Sequence, residues 1–181
     1  TKNRGNLTFN SGQFSSVKLN NYSSKLHKKA HLQKMQLSYI KVKAGNFVKD
    51  DITKLVEVNP YTTGLKQLMF ALHEPDVAQA KSLYQSAAEN LKHIKYYHVE
   101  ALYFFARFLQ QETDDLYAEI YQLGLSLATK HWFRFLIYQF ESLVSPKPQP
   151  YHNEDYPLPD DIQEQVDGYI QLCIKNIREN K

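Results

Sequence analysis

From Tyr96 to Val144 the chain runs 49 residues without a proline and with one glycine, Gly124. Within it Val99, Leu102, Phe105, Ala106 and Leu109 recur at three- and four-residue steps, the spacing of one helix face. Tyr103, Phe104 and Phe108 add apolar surface on other faces, which suits a helix buried between neighbours. Gln110–Asp115 is a polar break, where Thr113 or Asp114 is expected to accept from the free N–H groups of the next helix. Tyr117, Ile120, Tyr121 and Leu125 carry the second apolar stripe, which ends near Lys130 and His131. Trp132, Phe133, Phe135, Leu136, Phe140 and Leu143 are assigned to a third helix. Period-2 alternation is absent, and Glu, Gln, Ala and Leu are frequent, so strands are disfavoured despite the many aromatic rings.

The flanking segments follow the same rule. Residues 1–24 are rich in Asn, Ser, Gly and Thr and read as a flexible basic leader. A helix is expected from about Ser24, stopped at Ala44-Gly45-Asn46, with Gly45 suited to a left-handed helix end. Phe47, Ile52, Leu55 and Val56 mark a short helix. Asn59-Pro60 signals a helix start with proline at its first position, and Glu74-Pro75-Asp76 makes another stop and start. Val77, Ala80, Leu83, Tyr84, Ala87 and Leu91 form a longer amphipathic helix. Residues 145–159 hold five of the seven prolines and read as an extended linker, in part polyproline II. Asp160 or Asp161 then opens a last helix, acidic at its start and basic at its end (Lys175, Arg178, Lys181). The domain organisation expected is one helical domain over 25–181, interrupted by the linker at 145–159. The fold class expected is all-α.

Self-similarity refines that class. Leu68, Leu102 and Leu136 stand 34 residues apart, and so do Leu72, Ala106 and Phe140. Leu83 and Tyr117, Ala87 and Tyr121, and Leu91 and Leu125 keep the same step in the partner helices. On these positions residues of about 60–144 resemble the tetratricopeptide-repeat (TPR-like) superfamily, whose unit is a 34-residue helix–turn–helix. Ala106 and Ala118 fit that family's small residues at the helix crossing; Leu72 and Phe140 depart from it, and no proline ends each repeat. The resemblance implies antiparallel hairpins stacked as a short array; the alternative is an irregular helical bundle. The segments LSYIKVKAGNFVKDDITKLVEV and LGLSLATKHWFRFLIYQF also resemble, more faintly, the repeat domains of bacterial peptide-sensing regulators. That resemblance implies a groove for a short signalling peptide, and it transfers no ligand residue.

The chemistry read from the residues is sparse. His27 and His31 are four apart, but no third ligand is evident and the surrounding lysines oppose a cation. Asp114, Asp115 and Glu119 suit a helix start, and Glu154, Asp155, Asp160 and Asp161 lack the spacing of a calcium loop. Cys173, the single cysteine, rules out an internal disulfide, fits a reducing, cytoplasmic setting, and lies on the apolar stripe of the last helix. There is no glycine-rich phosphate loop and no apolar run that would span a membrane. No catalytic residue, metal or cofactor is therefore assigned, and a non-enzymatic function is expected.

Two binding readings remain. Tyr96, Tyr97, Tyr103, Tyr117, Tyr121 and Tyr138 exceed what a small core needs and would line a groove for a protein or peptide partner. The alternative is nucleic acid or another polyanion. Residues 1–50 hold ten Lys or Arg against one acid, so the net charge of +3 divides into about +9 there and about −6 elsewhere. Lys28, Lys29, Lys41 and Lys43 are the candidates for that surface.

Overall fold

A computed structural model describes residues 11–147 and 151–179, with side chains from Ser24 onward except Asn153. Among the described residues the protein is all-α: eight α-helices, one short turn of 3-10 helix and no strand. It divides into two compact units, 1–94 and 95–181, where one helical domain over 25–181 is expected from the sequence.

In the first unit, α1 (Ser11–Lys43) is 33 residues long. It begins well inside the stretch read as a leader; residues 1–10 of that leader lie outside the described residues. In its second half Met35, Tyr39 and Val42 recur at four and three residues and are buried. The stripe fails on going back toward Lys28, and every described side chain from Ser24 to Ala30 is exposed. α1 ends in a Schellman cap. Gly45, at φ +90°, donates its N–H to the Val42 carbonyl, and Asn46 donates to that of Lys41.

α2 (Lys49–Thr53) and α1 both pack on α3 (Pro60–Ala71), which forms a hairpin with α4 (Val77–Leu91). The start of α3 is a full capping box. Thr62 N–H donates to Asn59 Oδ1 at 3.0 Å, while the N–H groups of Asn59 and Val58 donate to Thr62 Oγ1 at 3.1 and 2.9 Å. Lys66 fastens the segment before it, donating to the Thr53 and Leu55 carbonyls at 3.0 and 2.9 Å and pairing with Glu57 at 3.0 Å. The Lys66 hydrogen bond holds the Glu57 carboxyl below the usual carboxylate range, against an opposing effect of burial.

In the second unit, α5 (Lys95–Gln111), α6 (Tyr117–Lys130) and α7 (Arg134–Val144) pack on one another. α6 and α7 meet closely at Gly124, where an added Cβ would lie 2.2 Å from Cζ of Phe140. Phe140 is fully buried and edge-on to Tyr103 and Tyr121, with ring centroids 5.6 and 6.0 Å away.

Two boundaries differ from the sequence reading. Thr113 sits at φ +53° as the left-handed cap residue of α5, so Asp114 alone accepts at the start of α6, from Leu116 N–H at 2.9 Å. Trp132 sits at φ +50° as the corresponding residue of α6, and the third helix begins at Arg134 rather than at Trp132. The cause is the same cap geometry: Trp132 N–H donates to Thr129 and Phe133 N–H to Ala128, which satisfies carbonyls that helix ends leave open.

The segment after α7 is not simply extended. Beyond residues 148–150, which are not described, it makes one 3-10 turn at Asn153–Asp155 and returns to α7 before α8 (Asp160–Glu179). No helix among the described residues is long and apolar enough to cross a membrane.

Candidate functional site

The proline-rich strap and the end of α7 border an open cleft of about 660 Å³, lined chiefly by Trp132, Ile137, Tyr138, Glu141, Lys147, Tyr156 and Pro157. Each wall has a local cause. The left-handed cap at Trp132 turns the chain between α6 and α7 and leaves the indole at the cleft. Tyr138 and Glu141 are three apart on α7, hence on one face. The strap supplies the opposite wall. Tyr151 and Tyr156 meet Tyr138 at ring-centroid distances of 5.1 and 6.2 Å, and Tyr151 meets Phe135 at 5.4 Å. Arg134 Nη1 donates to the Tyr156 carbonyl at 3.3 Å.

A polar triad crosses this aromatic cluster. Tyr156 Oη donates to Glu141 Oε2 at 2.7 Å, and Lys147 Nζ pairs with the same oxygen at 3.1 Å. Burial pushes the Tyr156 phenol well above its ordinary range, and the hydrogen bond to Glu141 and the nearby charges of Glu141 and Asp155 push the same way. The strap contact is therefore made by the protonated phenol. Its contribution is complete below the ordinary tyrosine pKa of about 10 and is lost as pH rises above it. The stability advantage of the native chain over Tyr156→Phe should accordingly shrink above about pH 10, as read from paired urea titrations at rising pH. An advantage that stays constant across that window would contradict the assigned contact.

The six tyrosines named from sequence do not line one groove. Tyr138 is buried at the cleft, with 5% of its surface exposed. Tyr103 is buried against Phe140, and Tyr121 is half-buried beside the same ring. Tyr117 lies next to Tyr121 at 5.6 Å, and its buried hydroxyl finds no hydrogen-bond partner among the described residues. Burial raises the phenol pKa of Tyr117 and of Tyr121. Tyr96, exposed, stands edge-on to Tyr97 and Phe133 at 5.8 and 5.3 Å, and burial of its hydroxyl end raises its pKa too. The reason for the division is helical pitch: positions on different faces of α5, α6 and α7 meet different neighbours.

The sequence reading missed Trp132, Ile137, Glu141, Lys147, Tyr156 and Pro157 as wall residues. The available signal was the pair Tyr151 and Tyr156 set among prolines, where an ordinary linker carries few rings. In the other unit, Lys28, Lys29, Lys41 and Lys43 are all exposed on α1, and Lys43 lies over the Tyr39 ring at 4.9 Å. Among the described residues no three His, Cys, Asp or Glu side chains gather to hold a metal ion.

Fold and cleft together define an all-α protein with an aromatic recess on its last described helical hairpin. No family model matches the chain, and no curated protein or solved structure matches it.

Proposed function

We propose that the chain is a non-enzymatic, TPR-like protein- or peptide-binding module, the sensing or scaffold part of a cytoplasmic regulator. Its α6–α7 recess would take an extended partner segment bearing an aromatic or proline residue. The observation that carries this reading is the recess itself. Its volume of about 660 Å³ lies within the range of ligand sites. Trp and Tyr walls supply contact area with polar tips, the composition that concentrates binding energy. The strap is a further support: a Tyr- and Pro-bearing segment of the chain already packs its rings on this face. Leu68, Leu102 and Leu136, one 34-residue step apart, are all buried, which favours the hairpin-array reading.

The test is selection of a phage-displayed random peptide library on the whole chain. Labelled copies of the selected peptides are then titrated against the native protein, Trp132→Ala and Lys147→Glu. Loss of a central aromatic contact should weaken binding by roughly tenfold or more in Trp132→Ala. A library that returns no binder, or binders indifferent to both substitutions, overturns the reading.

A second reading is favoured by one observation, the exposed positions of Lys28, Lys29, Lys41 and Lys43 on α1. That surface would bind a polyanion. A DNA duplex should then be bound with an affinity that falls steeply with salt, and Lys28→Glu with Lys29→Glu should abolish it. Peptide binding at the recess would be much less sensitive to salt.

A further inference from the structure

The strap meets α7 through side chains. Tyr151 and Tyr156 stand 5.8 Å apart, ring to ring, and both pack on Tyr138. The Tyr156 phenol donates to Glu141, and the Tyr156 carbonyl accepts from the Arg134 guanidinium. Among the described residues no backbone–backbone hydrogen bond joins 151–159 to α5, α6 or α7. The segment can therefore leave its place without breaking a backbone ladder. Both rings are half-buried, and the cleft beside them is open. α8, which follows, buries none of its residues, so release of the strap need not unpack it. These are the contacts of a docked peptide rather than of a core element. Pro157 and Pro159 restrict the backbone, which lowers the cost of ordering such a segment.

We propose that segment 151–157 is a tethered ligand of the α6–α7 recess, and that a partner segment of the same chemistry displaces it. The inference rests on the recess being the binding site. Its partner carries two tyrosines, the second followed by proline, and the second phenol donates to Glu141 in place of Tyr156. The contact of Tyr156 with Glu141 is then an autoinhibitory latch.

The tether makes the competition strong. Tyr151 follows Ser145, the cap of α7, by six residues. A segment on so short a connection competes at an effective concentration of about millimolar. The apparent affinity for a partner is reduced by the fraction of molecules whose strap is released. Weakening the strap should therefore tighten binding, whereas weakening a fixed wall of the recess would loosen it. The two roles predict opposite signs.

The probe is a labelled synthetic peptide of residues 151–159, YHNEDYPLP, titrated against the whole chain by fluorescence anisotropy. The double variant Tyr151→Ala with Tyr156→Ala should bind it at least about tenfold more tightly than the native chain does. Adding Glu141→Ala to that variant should reverse the gain. Tyr156→Phe, which keeps the ring and loses the latch, should fall between the native chain and the double variant. Arg134→Ala frees the Tyr156 carbonyl without altering a wall residue, and should tighten binding by a smaller factor. Circular dichroism checks that each variant folds; should the double variant fail to fold, Tyr156→Phe and Arg134→Ala decide the sign. Equal or weaker binding by the loosened variants overturns the proposal and makes the strap a fixed wall. Peptides selected from the library are the second probe. Equal binding of these to the native chain and the loosened variants overturns the latch and leaves the recess as the binding site. Loss of the recess reading itself would appear instead as indifference to Trp132→Ala in every background.

Discussion

Gly124→Ala is expected to destabilise the protein by about 2–3 kcal/mol, as overpacking does in a filled core. The added methyl would lie 2.2 Å from Cζ and 2.6 Å from Cε1 of Phe140. That ring is fully buried and held edge-on by Tyr103 and Tyr121, so it has no free direction in which to withdraw. Alanine is the better helix former by about 1 kcal/mol, and that gain is outweighed by the clash. A surface glycine in a helix would show the reverse sign; Gly168, with open space around its Cβ position, is the internal control. Urea unfolding of both variants measures the contrast. Adding Phe140→Leu to Gly124→Ala should recover part of the loss, with a coupling of about 1–2 kcal/mol. Additive single effects would show that the two positions do not touch.

Thr62→Val should cost about 2 kcal/mol, a large effect for a change that keeps the side-chain shape. Thr62 is completely buried, and its hydroxyl serves both directions at once. It accepts from the N–H groups of Val58 and Asn59 at 2.9 and 3.1 Å and donates to the Asn59 carbonyl at 2.8 Å. Valine leaves both donors without their acceptor at the entrance to α3. Asn59→Ala removes the acceptor for Thr62 N–H and a longer contact, at 3.2 Å, from the Thr62 hydroxyl, which keeps its bond to the Asn59 carbonyl, so about 1 kcal/mol is expected. The ordering, Thr62→Val worse than Asn59→Ala, is the readout in the same unfolding assay. Equal losses would mean that the hydroxyl contributes through the helix cap alone.

Much of the helical plan was legible because it is written in local chemistry. Asn59-Pro60, Asp76 and Gly45 mark their boundaries by conformational preference, and the structure uses each of them so. The buried stripes at Leu68, Leu102 and Leu136 follow from periodicity. What was not legible depended on other causes. Thr113 and Trp132 adopt a left-handed backbone that Gly or Asn ordinarily takes, so nothing in their chemistry announced a cap. Phe14, Val17 and Leu19 are too sparse in the sequence to reveal a helix before Ser24. The recess joins Trp132 to Pro157 across a proline-rich return, and sequence spacing does not report which wall a strap will lean on. Counting tyrosines found Tyr138 but could not separate seam rings from wall rings, because both kinds alternate along the same helices.

Trp132 joins two demands in one residue. A bulky side chain with a left-handed backbone costs about 1–2 kcal/mol relative to glycine, yet the indole forms part of the recess wall. Variants chosen only for heat resistance would therefore drift toward glycine at this position, and variants chosen for retention of a ligand would keep the ring. The residue is a point where robustness and recognition pull apart.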